Sequence, residues 1–402
     1  MGKMRIGIMG GTMNPIHDGH VHMAKTALQE ADLAQVLMVP AGSPPHKTGV
    51  PSAEDRYRMV AAAVAGEKNL IPSRVEVERE GATYTVDTMN ILRGRYPNAH
   101  FYYIIGEDTL LDLRNWRNFK QVLQMCTFLV VSRHTGAPAR QTQEEKRWLR
   151  ELGGKFVNLD MAPMDVSSTE IRQEIASDLP TPHLAYPIQA YARLTGLYGQ
   201  PALPQCKGWM EELFRRLSAK RFAHSLSVAW TAGELAGLHG VPVDQARCAG
   251  LLHDCAKCMP LEDMQAMVKK HSLNVDASIM DSGALLHGPV GACVAKMVFG
   301  VEDEQVLQSI RRHTTAEPGM TDLDMVIYLA DKIEPTRINY PLLDQVRIAA
   351  QHDLKRAMAI SLQGSVNYLH RKGERKIFPA TLATLEWLKS MGYVPPHQGA
   401  FT

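Results

Sequence analysis

At 402 residues, with 45% hydrophobic and 21% charged residues, the chain is long enough for two ordinary domains, each with its own core. A net charge of only +2, with no long block of like charge, argues against a nucleic acid or an anionic membrane surface as partner, so the expected ligand is small and polar. Six scattered cysteines (Cys126, Cys206, Cys248, Cys255, Cys258, Cys293) form no disulfide-like framework, and no signal-like or membrane-spanning apolar run of roughly 18 residues occurs, so a reducing cytoplasm is expected.

From Met4 to about Tyr198, short apolar runs ("MRIGIMG", "QVLMVP", "FYYIIG", "TFLVVS") alternate with helix-patterned stretches ("HVHMAKTALQEA", "SAEDRYRMVAAAVAG"). That rhythm predicts an α/β domain, a Rossmann-like doubly wound parallel sheet. From Gly208 onward strand-like runs nearly vanish and apolar residues recur at helical spacing, which predicts an all-α second half. Between them "GQPALPQCKG" holds two prolines and little periodicity. The expected organisation is therefore a domain at 1–199, a linker at 200–207 and a domain at 208–402.

The string "GGTMNPIHDGH" follows the first strand-like run and leads into a helix expected near Asp18. Gly10 and Gly11 at a strand end, followed by Thr12, let the backbone approach a ligand, and the next helix offers unpaired N–H groups and partial positive charge, which suits phosphate. His17 and His20 stand three residues apart at the helix entry, so both imidazoles can face one anion and donate to it as charge builds up. The bland reading is a glycine turn with solvent-facing histidines. Further on, "DVSSTEIR" pairs Ser167 with Glu170 as in a capping box, which by itself marks only a helix start.

The string resembles the (H/T)xGH signature of the nucleotidyltransferase superfamily. With "PAGSPPHK", "EDRYRM", "GATYTVDT", "IIGEDTLLDLRNW" and "DVSSTEIR", residues 4–199 resemble bacterial nicotinate-mononucleotide adenylyltransferases. Met13 stands where phenylalanine is usual in that family and Glu107 where a small residue is common. The resemblance implies that Ser168, Thr169 and Arg172 meet the ATP phosphates and that Lys47 faces the mononucleotide phosphate. It also implies that Thr83, Tyr84, Thr85, Asp87 and Trp116 serve the nicotinate mononucleotide, with Trp116 able to stack on the pyridine ring. No protein nucleophile is needed, because the mononucleotide phosphate can attack the α-phosphorus of ATP in line. His17, His20, Arg172 and a Mg²⁺ ion held largely by the triphosphate would position and neutralise. The rival is transfer to another phosphate, such as phosphopantetheine; "PPHK", "ATYTVDT" and the chain length disfavour it.

In the second half "LLHDCAK" places His253 beside Asp254, and His224 ("RFAHS"), His287 ("LLHGPVG"), His313 ("RRHTT") and Asp331 ("YLADKIEP") lie in segments of helical character. Imidazoles plus carboxylates suit Zn, Mn or Fe rather than Mg or Ca. His239, His271, His352 and His370 read better as ordinary core or surface residues. Cys255 and Cys258 make a lone C-x-x-C with no second pair and no thioredoxin-like context, so a zinc or redox reading is discounted.

The order of the candidates resembles the HD-domain phosphohydrolases, and "RFAHSLSVA", "AGLLHDCAK", "LLHGPVGA", "IRRHTTAEPGM" and "YLADKIEPTR" resemble the YqeK type over residues 210–350. The resemblance implies that His224, His253, Asp254 and Asp331 hold one metal, that His287 and His313 hold a second, and that Asp254 bridges them. Such a pair activates water and clamps phosphate oxygens. Lys257, one turn on if the segment is helical, can reach the same phosphates. The implied substrate is a dinucleoside polyphosphate, with symmetric cleavage of diadenosine tetraphosphate to ADP; the alternatives are another nucleotide phosphatase or a regulatory nucleotide-binding module. The sequence leaves homo-oligomerisation open.

Overall fold

The computed structural model describes residues 3–44, 48–131, 139–162, 164–338, 340, 342–373 and 377–393. The chain divides into two compact units, 1–189 with 197–200, and 190–196 with 201–402.

In the first unit the elements run β1 (Met4–Gly11), α1 (Asp18–Glu30), β2 (Gln35–Pro40), α2 (Ala53–Ala63), β3 (Leu70–Pro72), α3 (Thr85–Arg95), β4 (Ala99–Gly106), α4 (Glu107–Asp112), α5 (Phe119–Met125), β5 (Thr127–Val131), α6 (Ala139–Glu151), β6 (Lys155–Leu159) and α7 (Ser168–Ala176). The next helix, α8 (Tyr186–Thr195), crosses the boundary between the units. The six strands form one parallel sheet in the order β3-β2-β1-β4-β5-β6. Helices cover both faces of a parallel sheet, so its central strands read as continuous apolar runs. Ile6 and Ile8 of β1, Phe101, Tyr103 and Ile105 of β4, and Phe128 and Val130 of β5 point to one face, where they pack with Val86, Met89 and Leu92 of α3.

Two strands escape the apolar-run criterion. β3 is three residues long, and β6 is an edge strand with Val157 47% exposed, so neither carries the continuous apolar stretch of a strand buried on both faces.

The second unit continues with α9 (Pro204–Arg216), α10 (Ala219–Leu238), α11 (Val243–Leu252), α12 (Leu261–Lys270), α13 (Gly283–Phe299), α14 (Glu304–Arg312), α15 (Asp322–Ile333), α16 (Leu343–Ala350), α17 (Leu354–Arg371) and α18 (Pro379–Ser390). The expected linker at 200–207 is partly helix, because Pro204 starts α9: a proline is tolerated in the first helical turn, where its missing N–H has no intrahelical partner. Ser218, Asp303, Thr321 and Asp353 cap α10, α14, α15 and α17 through side-chain oxygens. α15 is buried at every position from Leu323 to Asp331, as expected of a helix wrapped by neighbours, and α10, α14 and α17 pack on it. At Gly288 a Cβ would stand 2.8 Å from the Arg311 carbonyl, so the missing side chain lets α13 approach α14 closely. No helix among the described residues is long and apolar enough to cross a membrane.

Candidate active sites

The strand order places a topological switch between β1 and β4, and open α/β sheets bind ligands outside the strand ends at such a point. There the chain leaves β1 at Gly11 and enters α1 at Asp18 with His17 as N-cap. The His17 amide donates to His20 Nδ1 at 3.3 Å and the two rings lie 3.9 Å apart, centroid to centroid. His17 is buried, while His20 lines a cleft of about 410 Å³.

Three segments supply the rest of that cleft: Thr12, Met13 and Asn14; Thr48, Gly49 and Val50; and Ser168, Thr169 and Arg172. Ser167 caps α7, its Oγ accepting from the Glu170 amide at 3.2 Å while Glu170 Oε2 accepts from the Ser167 amide at 3.1 Å. Along the first two turns of α7, Ser168 Oγ donates to the Pro15 carbonyl at 3.0 Å and Arg172 Nη1 to the Asn14 carbonyl at 2.7 Å. Tyr198 completes the anchorage by donating to Asn14 Oδ1 at 2.9 Å. A helix N-terminus, a guanidinium and an imidazole thus meet in one concavity, which is chemistry for a polyanion.

Not every expected residue lines this cleft. A Cβ at Gly10 would run into the Tyr103 side chain, so the missing side chain makes room for packing on that side. Neither Gly10 nor Gly11 lines the cleft, and neither do Thr83, Tyr84, Thr85, Asp87 and Trp116. Those five form a separate group: Tyr84 is the N-cap of α3 under the Arg117 guanidinium, Asp87 pairs with Arg79 at 3.3 Å, and Trp116 packs edge-on against Tyr103 at 5.5 Å. Thr83 is buried, and its amide donates to the Ser43 carbonyl at 3.3 Å. Lys47 lies outside the described residues.

One residue of this unit lies in a quoted string, "EDRYRM", that assigns it no role of its own. Arg56, 1% exposed, donates Nη1 to the Thr12 carbonyl at 2.8 Å, Nη2 to the Gly42 carbonyl at 2.7 Å and Nε to the Pro51 carbonyl at 3.1 Å. Its farther acceptors are 14 and 44 residues away, so no local pattern announces it.

In the second unit all six expected ligands converge. His224 sits in α10, His287 in α13 and Asp331 in α15, whereas His253 and His313 are the C-cap residues of α11 and α14. The segment from His253 to Lys257 is a turn, not a helix: His253 Nδ1 bonds back to the Gly250 carbonyl at 2.7 Å, and the Lys257 amide bonds to the Asp254 carbonyl at 2.8 Å. His313 repeats the device on the Ile310 carbonyl at 2.7 Å. Each ring N–H satisfies a carbonyl near a helix end and leaves Nε2 as an acceptor facing the cluster. Glu334 Oε1, 3.1 Å from His224 Nδ1, orients the third ring the same way; it lies in the "YLADKIEPTR" string three residues after Asp331, where no ligand-like spacing singles it out.

The acceptors crowd together. Asp254 Oδ1 lies 3.1 Å from His287 Nε2 and 3.7 Å from His313 Nε2, and its Oδ2 lies 3.6 Å from His253 Nε2 and 4.0 Å from His224 Nε2. Asp331 Oδ1 lies 2.9 Å from His224 Nε2 and 3.8 Å from His253 Nε2. Burial pushes the His253 imidazole down to about 3 and that of His287 to about 4, so both are neutral ligands at ordinary pH. Burial lowers His224 too, but its hydrogen bonds to Asp331 and Glu334 outweigh that and raise it. Burial alone would raise Asp254, yet the surrounding imidazoles hold its carboxyl well below the usual range.

This donor set fits divalent metal. His253 Nε2 is buried without a hydrogen-bond partner, and two triads, His224–His253–Asp254 and Asp254–His287–His313, each bring their ligand atoms within 4.8 Å of one another. Asp254 belongs to both. Cations ring the cluster: Arg221 donates to Asp254 at 2.9 Å, Arg337 to Asp331 at 2.6 Å and Lys332 to Asp331 at 3.0 Å, while Lys257 Nζ stands 3.2 Å from His287 Nε2.

Comparison with known proteins matches this division. The cytidylyltransferase-like family matches residues 8–174 and the HD domain family residues 221–336. A Mycoplasma genitalium protein named as a nicotinate-nucleotide adenylyltransferase/Ap4A hydrolase is 28% identical over 90% of this chain and 97% of its own length. A Gloeobacter violaceus protein named as a nicotinate-nucleotide adenylyltransferase is 38% identical over 49% of this chain and 98% of its own length. A Clostridium acetobutylicum crystal structure, described as a predicted HD superfamily hydrolase involved in NAD metabolism, is 36% identical with a TM-score of 0.44, covering 46% of this chain and 97% of that one. The chain belongs to the nicotinate-nucleotide adenylyltransferase family and carries an HD domain after the transferase domain.

Proposed function

We propose that the chain is a bifunctional enzyme that transfers the adenylyl group of ATP to nicotinate mononucleotide, giving nicotinate adenine dinucleotide and pyrophosphate, and hydrolyses a dinucleoside polyphosphate in its HD domain. The observation that supports the transferase is the meeting of His20, Arg172 and the capped start of α7 in one cleft. Ser168, Thr169 and Arg172 hold the triphosphate, with Mg²⁺ carried in on it. His20, backed by His17, donates to the α-phosphate as charge develops there. The acceptor lies toward Thr83, Tyr84, Thr85, Asp87 and Trp116, with Lys47 on its phosphate. Attack by that phosphate expels pyrophosphate without a covalent enzyme intermediate.

For the hydrolase the supporting observation is the sharing of Asp254 between two histidine pairs. His224, His253, Asp254 and Asp331 hold one ion and Asp254, His287 and His313 the other, with iron, manganese or zinc suited to nitrogen and carboxylate donors. Bound there, the pair supplies an activated water and positive charge for phosphate oxygens. Lys257 stands beside His287 to steady the phosphate chain, and attack near the middle of diadenosine tetraphosphate gives two ADP.

The test uses the full-length metal-loaded chain. ATP with nicotinate mononucleotide should release pyrophosphate and form the dinucleotide, and diadenosine tetraphosphate in ¹⁸O-water should give ADP alone, one of each pair labelled. AMP with ATP would reject symmetric cleavage, and nucleotide binding without turnover would favour a regulatory HD module.

A further inference from the structure

Arg56 is nearly inaccessible, yet its guanidinium donates to three backbone carbonyls on three separate segments, Thr12, Gly42 and Pro51. Taking a charge out of water is costly unless it is well hydrogen-bonded, and here a fixed planar fork meets three acceptors at once. A lysine ammonium is a point donor on a flexible stem and cannot span them. Burial pushes the Arg56 pKa down, as expected for a charge withdrawn from water, but an arginine remains a cation.

What the three segments do gives the contact its meaning. Thr12 lines the cleft in the loop after β1, and Pro51 directly follows Thr48, Gly49 and Val50, which line it as well. Gly42 lies in the loop after β2 beside Ser43, whose carbonyl accepts the Thr83 amide. In the transferase reading, on which this inference rests, the first loop serves the nucleoside triphosphate and the Thr83 segment serves the acceptor.

We propose that Arg56 is a positioning residue for adenylyl transfer, fixing the spacing between the loop that holds the triphosphate and the loops that hold the acceptor. In-line displacement is sensitive to the approach of the attacking oxygen, and misplacement by about 1 Å costs on the order of a hundredfold in rate. The loss should fall on the reaction of the two substrates together, not on the binding of either one.

The test compares full-length wild type, Arg56→Ala and Arg56→Lys, with kcat, KM for each substrate and thermal inactivation measured on the same samples. Expected is a kcat lower by about a hundredfold in both variants, with each KM changed less than tenfold. Guanidinium ion at sub-denaturing concentration should restore part of kcat in Arg56→Ala while leaving wild type and Arg56→Lys unimproved. Near-normal kcat in either variant overturns the assignment. So does a loss that tracks KM or thermal inactivation and does not respond to guanidinium, or failure of both variants to fold. A wild-type chain that forms no dinucleotide rejects the transferase reading and this assignment with it.

Discussion

His287 Nε2 and His313 Nε2 lie 3.1 Å apart, and Asp254 Oδ1 is within 3.7 Å of both. His313 donates its other ring nitrogen to the Ile310 carbonyl, so its Nε2 is an acceptor turned toward two other acceptors. Such an arrangement is stabilised by a cation. Metal analysis should therefore find two ions per wild-type chain and one in His287→Ala or His313→Ala, whereas Asp254→Ala should lose both. Two tightly held ions in Asp254→Ala would remove it from the bridging position.

Glu334 Oε1 lies 3.1 Å from His224 Nδ1, while the ring's other nitrogen faces Asp331 at 2.9 Å, so the glutamate fixes the ring from behind. Partners that orient a metal-binding imidazole are worth roughly ten- to a hundredfold in metal affinity. Glu334→Gln should weaken metal binding by that factor in a competition titration while both ions still bind at saturation. Unchanged affinity would show that packing alone orients the ring.

Tyr103 and Gly10 make a paired prediction in the sheet. A methyl at position 10 would run into the Tyr103 hydroxyl, and overpacking of this kind costs about 1–3 kcal/mol. Gly10→Ala should lower the temperature at which transferase activity is lost on heating. Adding Tyr103→Phe, which removes the hydroxyl, should recover part of that loss. Strict additivity of the two changes would place the clash elsewhere.

The parts of this chain that were legible in the sequence share a physical cause. β1, β2, β4 and β5 are buried strands of a parallel sheet and appear as apolar runs; β6, with Lys155, Val157 and Asn158 exposed, does not. The six metal-ligand candidates stood out because each lies in a distinctive local string, and the structure brings them together from five helices and their ends. Arg56 and Glu334 lie in quoted strings, but their roles are not legible there because they depend on partners far along the chain. Periodicity does not show where α11 stops, because a ring nitrogen, that of His253, takes up the Gly250 carbonyl there. At Gly10 the sequence shows that a side chain is missing but not that Tyr103 fills its place.

In the proposed function one chain performs two chemistries with separate residues. The direct measurement assays dinucleotide formation and diadenosine tetraphosphate hydrolysis side by side in full-length wild type, His20→Ala and Asp254→Ala. His20→Ala should lose transfer by about a hundredfold, as for removal of a charge-stabilising donor, and keep hydrolysis. Asp254→Ala should lose hydrolysis and keep transfer. Either activity missing from wild type, or a folded variant that loses both, would contradict the account.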